Sequence, residues 1–154
     1  PNGRTSTREY VRHPGGVGVV ALTEDRQVLL VRQFRYAYRQ VVTEIPAGKR
    51  DPGEDPLTTG RRELAEETGM TAERFIPLGS LYPSPGYTDE VIWLFLATGL
   101  RPVEAHPDDD EFLAVERRPL DELVAAVENG ELPDAKTQIA LLKAQRYLQQ
   151  HKED

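Results

Sequence analysis

Three glutamates near the middle of the chain are spaced so that they can act together. Glu63, Glu66 and Glu67 are three and four positions apart, and this spacing places them on one face if the segment is helical. Because like charges on one face destabilise a helix, the spacing favours a positive partner. A hard divalent cation fits, since Mg²⁺ and Mn²⁺ prefer carboxylate, carbonyl and water oxygens. From these three glutamates alone, an exposed acidic helix is an equally good interpretation.

The residues around the glutamates predict a helix that packs against a sheet. Leu57 and Leu64 are seven positions apart and point to a different side from the glutamates, so they can anchor the helix. Gly69 stands in the usual glycine position just past a helix end. The pattern predicts a helix over 57–68, preceded by the loop 49–56, whose prolines and glycine disfavour regular structure.

Short apolar runs separated by turn-forming residues predict strands on both sides of this helix. The first two runs, joined by the polar turn 23–26, predict a buried hairpin. Asp134 is the predicted N-cap of a last helix with an apolar, core-facing stripe. Mixed strands and helices predict one α/β domain over 1–154, with a short N-terminal extension at about 1–15. The predicted strands are 16–22, 27–34, 41–45, 75–82, 90–98 and 111–117, and the other predicted helices are 120–127 and 134–150.

Composition and charge exclude several classes of protein. The 154 residues include 26 acidic and 19 basic side chains, a net charge of −7, which argues against a general nucleic-acid binder. There is no cysteine, which excludes disulfides, thiolate nucleophiles and cysteine-bound zinc. No apolar run approaches the roughly 18 residues of a membrane span, and no signal-peptide pattern is present. We therefore expect a cytoplasmic protein that binds no membrane, and Pro1 in place of methionine indicates a processed or trimmed product.

The charge is distributed unevenly along the chain. Residues 1–50 carry nine basic and four acidic side chains, whereas residues 51–154 carry ten basic and twenty-two acidic ones. A positive part of the chain facing an acidic part would suit a site where metal cations and a phosphate ligand meet. The simpler interpretation is that both parts are solvated surfaces.

Gly48, Glu54, Arg62 and Met70 extend the pattern formed by Glu63, Leu64, Glu66, Glu67 and Gly69. The whole spacing resembles the Nudix box, G-x5-E-x7-R-E-U-x-E-E-x-G-U, in which U is a bulky apolar residue. Similarity outside the box points to the bacterial ADP-ribose pyrophosphatase branch of the Nudix hydrolases. The resemblance implies the Nudix fold, a mixed β-sheet sandwiched between helices (α/β/α). The box residues are Gly48, Glu54, Arg62, Glu63, Leu64, Glu66, Glu67, Gly69 and Met70, and the outer matches are Pro14-Gly15, Arg32-Gln33-Phe34-Arg35, Glu44-Ile45-Pro46-Ala47-Gly48, Ser84-Pro85-Gly86 and Asp110-Glu111-Phe112.

The resemblance also implies a role for each box residue. Glu63 and Glu67 would be the principal metal ligands, and Glu66 a third ligand that also takes part in catalysis. The carbonyl oxygen of Ala47 would be a further ligand, and Mg²⁺ the cofactor, with Mn²⁺ as an alternative. Gly48, Glu54 and Arg62 would support the box, the last two as an ion pair.

Residues outside the box would supply the base and hold the substrate. The aligned general base is Glu111, and Asp109 or Asp110 would replace it if the loop register differs. An acidic solvated loop is the alternative interpretation of this stretch. Arg32 and Arg35 would donate to phosphate oxygens. The further substrate-binding candidates are Pro85, Glu90 for a ribose hydroxyl, Arg50 as a weaker phosphate ligand, and Tyr10, Tyr82 or Tyr87 for base stacking, although core packing is the more general role of aromatic side chains.

The implied reaction is metal-dependent hydrolysis of a nucleoside diphosphate derivative, foremost ADP-ribose to AMP and ribose 5-phosphate, by a homodimer. The alternatives are a nucleotide sugar or dinucleotide as substrate, a regulatory Nudix domain that binds nucleotides without turnover, and an acidic Ca²⁺-buffering loop. Branch members carry extra N-terminal strands that exchange between subunits. Only about fifteen residues precede the first apolar run here, so part of the base-recognition wall is expected to be missing.

Overall fold

Seven strands of the computed structural model, which describes residues 3, 5–103 and 114–151, form one mixed sheet. The strands are β1 (Gly16–Leu22), β2 (Gln27–Arg35), β3 (Gln40–Glu44), β4 (Ala47–Lys49), β5 (Met70–Leu81), β6 (Ile92–Pro102) and β7 (Ala114–Pro119), and the helices are α1 (Pro56–Thr68), α2 (Leu120–Glu128) and α3 (Ala135–Gln150). The strand order is β3-β2-β1-β6-β5, with β4 paired to β1 and β7 paired to β2.

The central strand β1 separates from its hairpin partner β2 beyond their shared turn. The two strands pair only near the turn, through Ala21 with Leu29 and Leu22 with Val28. Further along, β4 pairs with β1 and β3 pairs with the far end of β2. The other edge of β1 pairs in parallel with β6. The two halves of the sheet therefore diverge, and a cleft lies between them.

Helices cover both faces of the sheet, which confirms the predicted α/β/α architecture. Successive side chains of a strand point to opposite faces, and β1 is buried on both. Val17 and Val19 pack beneath α1 with Leu64, whereas Val20 packs with α2 and α3. The predicted anchor Leu57 is partly buried in the cluster beneath α1, and Leu141 of α3 is fully buried on the other face.

The structure corrects the sequence-based elements at three places, one of which is β6, predicted over 90–98 and observed over Ile92–Pro102. The short strand β4 was not predicted, because Pro46 and Gly48 are residues that normally end a strand. Pairing with β1 decides its conformation. Strand β5 begins at Met70, immediately after Gly69, and is therefore longer than predicted. The residues 111–113 of the last predicted strand lie outside the described part of the chain.

Both ends of α1 form as the sequence indicates. The side chain of Asp55 accepts hydrogen bonds from the backbone N–H groups of Leu57 and Thr58, and Pro56 occupies the first helical turn, where a missing N–H costs nothing. Gly69 ends the helix with φ 65°, a left-handed conformation that glycine adopts without strain. Local signals at both ends therefore set the length of the box helix. Within the described residues, no helix is both long enough and apolar enough to cross a membrane.

We expect Leu64→Ala to lower the free energy of unfolding by about 2–5 kcal/mol, since the substitution leaves a cavity beneath α1. Chemical denaturation at neutral pH measures this loss. The matched control is Leu142→Ala, because Leu142 is an exposed leucine in α3, and its substitution should change stability by no more than about 0.5 kcal/mol. Equal losses in the two variants would contradict the packing of α1 on the sheet.

Candidate active site

A cleft of about 820 Å³ opens where β1 and β2 diverge. One wall consists of β4 and the box helix α1. The other consists of the far end of β2, strand β3 and the start of α3. His13, Ser84 and Glu90 also line it. The cleft therefore brings together residues that are about ninety positions apart in the sequence.

The acidic wall is formed by the predicted metal ligands. Glu63 and Glu67 are 9% and 7% exposed, whereas the side chain of Glu66 is 31% exposed. The N–H of Ala47 donates to Oε2 of Glu67 at 2.9 Å. Gly48 lies so close to Glu63 that any added Cβ would overlap the carboxyl group. Glycine at the first box position therefore leaves room for the Glu63 carboxylate, which a larger residue would displace.

Arg62 lies among the carboxylates of this wall and pairs with three of them. Its Nη1 donates to Glu63 Oε1 at 2.7 Å and to Glu66 Oε2 at 2.9 Å. Its Nη2 donates to Glu54 Oε2 at 3.0 Å and to the carbonyl of Lys49 at 2.9 Å. The predicted Glu54–Arg62 ion pair is present in this geometry, and it ties the box loop to the helix.

The donor set of the acidic wall has the chemistry of a site for a hard divalent cation. In residues 5–103 and 114–151 no three acidic or histidine side chains converge on one point as metal ligands, because Arg62 draws two of the glutamates towards itself. Glu63, Glu66 and Glu67 are nevertheless hard oxygen donors on one helix beside the backbone of Ala47. These residues would hold the ion.

The opposite wall is built around a buried carboxylate that sequence analysis did not assign to the site. Glu44 is 2% exposed, and both of its oxygens accept from Arg35, with distances of 2.6 Å to Nε and to Nη2. Lys136 also donates to Glu44, and it donates to Asp134 Oδ1 at 3.0 Å. Burial by itself would raise the pKa of Glu44, but the hydrogen bonds and charges of Arg35 and Lys136 lower it. The carboxylate therefore stays ionised.

Two of the four predicted substrate-binding residues line the cleft and two do not. Arg35 and Glu90 belong to its lining. Arg32 is exposed on the other face of β2, since it is an odd number of positions from Arg35. Pro85 is also exposed, and it is Ser84 that reaches the cleft. The roles of these residues stay predictions.

The weaker candidates lie at the edge of the site or beyond it. Arg50 is engaged by the carbonyl of Glu54 and lies over the ring of Trp93, 4.9 Å from its centre. The three tyrosines considered for base stacking are exposed and do not line the cleft. The predicted base Glu111 and its neighbours lie outside the described residues. The tyrosines are Tyr10, Tyr82 and Tyr87, and the neighbours are Asp109 and Asp110.

Lys136 and His13 are further cleft residues that sequence analysis did not single out. Lys136 lies in the first turn of a helix whose apolar stripe indicated only core packing. The N-cap Asp134 predicts where this helix begins, but no local pattern marks Lys136 as a cleft residue. His13 lies 3.5 Å from Glu90 through Nδ1, and the same atom accepts from the N–H of Gly15 at 3.1 Å.

Comparison with known proteins agrees with this geometry. The chain matches the NUDIX domain over residues 12–141. It is 43% identical to an ADP-ribose pyrophosphatase of Bacillus subtilis (strain 168) and 44% identical to a methanol dehydrogenase activator of Bacillus methanolicus, in both cases over 97% of this chain and 80% of the relative. A crystal structure of an ADP compounds hydrolase has a TM-score of 0.81 at 26% identity and covers 90% of this chain and 75% of its own.

The chain therefore belongs to the Nudix family. The resemblance to the bacterial ADP-ribose pyrophosphatase branch is confirmed by the identity shared with relatives of that name over most of the chain.

The Glu54–Arg62 pair makes a pH-dependent contribution to stability. Hydrogen bonds from Arg62 lower the pKa of Glu54 from 4.5 to about 2, with further hydrogen bonds from Thr59 and the Asp51 backbone, while burial opposes the shift. A lowered pKa stabilises the fold above the unfolded value of 4.5, and the stabilisation is lost as pH falls towards 2. We expect the difference in free energy of unfolding between wild type and Glu54→Gln to be constant above this range and to shrink below pH 4.5. Denaturant titrations across the range measure it, and a difference that does not change with pH would contradict the pairing.

Proposed function

We propose that this chain, a Nudix pyrophosphohydrolase, hydrolyses the diphosphate bond of ADP-ribose to give AMP and ribose 5-phosphate. The observation that carries the proposal is the pairing of two walls across one cleft. Glu63 and Glu66 of α1 line one wall, with Glu67 beside them at the Ala47 backbone, and Arg35 belongs to the other wall. A diphosphate needs both a site for divalent cations and donors for its remaining oxygens. The relative named ADP-ribose pyrophosphatase, 43% identical, supports this choice of substrate.

The residues of the acidic wall would bind and orient the metal. Glu63 and Glu67, with Glu66 and the carbonyl of Ala47, would hold Mg²⁺, or Mn²⁺ in its place. Bound divalent ions neutralise a diphosphate and lower the pKa of a water molecule towards neutrality. Arg62 offsets the charge of the glutamates and keeps the box loop in position through Glu54.

The residues of the opposite wall and the loops would orient the substrate. Arg35 would donate to a phosphate oxygen with the guanidinium edge that does not face Glu44. Glu90 lines the cleft, and its carboxylate would accept a hydrogen bond from a ribose hydroxyl. Glu111 would act as general base, a role that follows from its place in the Asp110-Glu111-Phe112 motif. We further propose a single Nudix domain over 1–154, a homodimer, and a cytoplasmic location.

A second candidate is the same chemistry on a different nucleoside diphosphate derivative, a nucleotide sugar or a dinucleotide. The observation that favours it is the exposure of Tyr10, Tyr82 and Tyr87 outside the cleft. None of these three tyrosines lines the cleft, so none of them distinguishes the adenine of ADP-ribose from the base of another nucleoside diphosphate derivative.

Hydrolysis of a substrate panel with Mg²⁺ tests the choice between these candidates. We expect ADP-ribose to have a higher kcat/KM than nucleotide sugars, NADH and diadenosine polyphosphates. Glu67→Gln should abolish turnover of every substrate while the protein remains folded, because it removes a metal ligand. The control is Glu128→Gln, an exposed position in α2, which should leave rates unchanged. ADP-ribose among the poor substrates would overturn the first candidate, and near-wild-type rates in Glu67→Gln would overturn the metal site.

Substitution of the proposed base provides an independent prediction. Glu111→Gln should lower kcat by roughly 10²–10⁴-fold, the usual contribution of a general base, with little change in KM. Asp109→Asn and Asp110→Asn are the matched controls in the same acidic stretch of the sequence. An unchanged kcat in Glu111→Gln together with a large loss in either control would assign the role to that neighbour.

A further inference from the structure

Arg35 is held in the cleft wall by one edge of its guanidinium group. Nε and Nη2 both donate to Glu44, which leaves Nη1 and the second proton of Nη2 on the other edge. Glu44 is the only hydrogen-bond acceptor of Arg35 in the described part of the chain. The group is therefore oriented by Glu44, and its remaining donors are directed away from that carboxylate.

Such an orientation matters because an arginine on a strand end is intrinsically mobile. The side chain of Arg35 is 41% exposed, and a free arginine loses rotamer entropy when it is immobilised. A bidentate pair made before the ligand arrives removes most of that loss from binding. Glu44 can do this only because its own position is fixed by burial.

Lys136 completes the charge balance around the buried carboxylate. Its ammonium group contacts Glu44 and Asp134, so two cations and two anions form a neutral cluster. Asp134 also caps α3 through the N–H of Thr137 at 2.9 Å. The Thr137 hydroxyl accepts from the N–H of Ile45 at 2.9 Å, directly after Glu44. The start of α3 therefore sets the position of Glu44 through both side-chain and backbone contacts.

We propose that Glu44 and Lys136 are positioning residues that hold the Arg35 guanidinium in the orientation that binds the substrate diphosphate. This inference rests on the proposed function, because it assigns Arg35 to a phosphate oxygen. It adds the first turn of α3, outside the Nudix box, to the machinery that determines substrate affinity.

Replacement of the lysine tests the proposal in the active enzyme. Lys136→Met should lower kcat/KM by roughly 10- to 100-fold, the scale of a small misplacement of a binding group. The loss should appear mainly as a raised KM, and Lys136→Arg should restore most of it. The matched control is Lys143→Met in the same helix, since Lys143 donates to the carbonyl of Leu78 outside the cleft lining, and its kinetics should be unchanged. If Lys136→Met fails to fold, Lys136→Gln replaces it.

A double-mutant cycle distinguishes positioning from a direct or a general structural role. If Lys136 acts through Arg35, Lys136→Met should have almost no additional effect on KM in an Arg35→Met background. Additive effects on KM would overturn the proposal. So would equal losses in Lys136→Met and Lys143→Met.

Solution NMR provides a measurement that needs no turnover. The Arg35 Nε–H signal, assigned by its loss in Arg35→Met, should exchange slowly with solvent in the wild type. It should exchange faster in Lys136→Met but not in Lys143→Met. An unchanged exchange rate in Lys136→Met would overturn the positioning role even if ADP-ribose is hydrolysed. Failure of the wild type to hydrolyse any diphosphate would overturn the proposed function, and the NMR result would still decide whether Lys136 orients Arg35.

Discussion

The acidic face of α1 needs a positive partner, and the rest of the site is arranged around that need. Glu63, Glu66 and Glu67 would repel one another on an isolated helix. Arg62 supplies the compensating charge from the same helix and extends it to Glu54 in the preceding loop. The loop and the helix are therefore held together by the same guanidinium group that balances the glutamates. A divalent cation would change that balance locally, which is why the net sequence charge does not argue against an anionic substrate.

One short segment, residues 44–48, joins the two walls of the cleft. Glu44 belongs to the arginine wall and Gly48 contacts Glu63 of the acidic wall. Between them, the N–H of Ile45 donates to α3 and the N–H of Ala47 donates to Glu67 of α1. Backbone groups of neighbouring residues thus fix both helices relative to the sheet. The distance between the two walls is therefore set by five consecutive residues of the chain.

The cleft opens in this place because of the sheet topology. Strands β1 and β2 remain paired only near their turn, and β3 and β4 then pair with different strands. Hydrophobic clusters beneath α1 and beneath α2 and α3 hold the diverging halves on either side. The polar groups of the cleft are consequently supported by rigid elements, a condition for oriented binding of a charged substrate.

The sequence by itself determined the box helix, its ends and most strands, because these depend on local signals. Asp55, Leu64 and Gly69 act through capping, burial and backbone conformation within a few residues. The Glu54–Arg62 ion pair could be predicted equally well from the sequence, since both residues belong to one motif. The alternation of a strand already places Arg32 and Arg35 on opposite faces, whereas strand β4 and the choice of which arginine faces the cleft were decided only by the tertiary structure. Their conformations and surroundings depend on pairing with distant strands.

The second wall shows the same limit most clearly. Lys136 and Glu44 are ninety-two positions apart, and neither has a local pattern that marks it as part of a site. Burial of Glu44 becomes favourable only when Arg35 and Lys136 are both in place to offset its desolvation. The acidic wall could therefore be identified from the spacing of its residues in the sequence. The opposite wall exists only because folding brings charges from three elements together around one buried carboxylate.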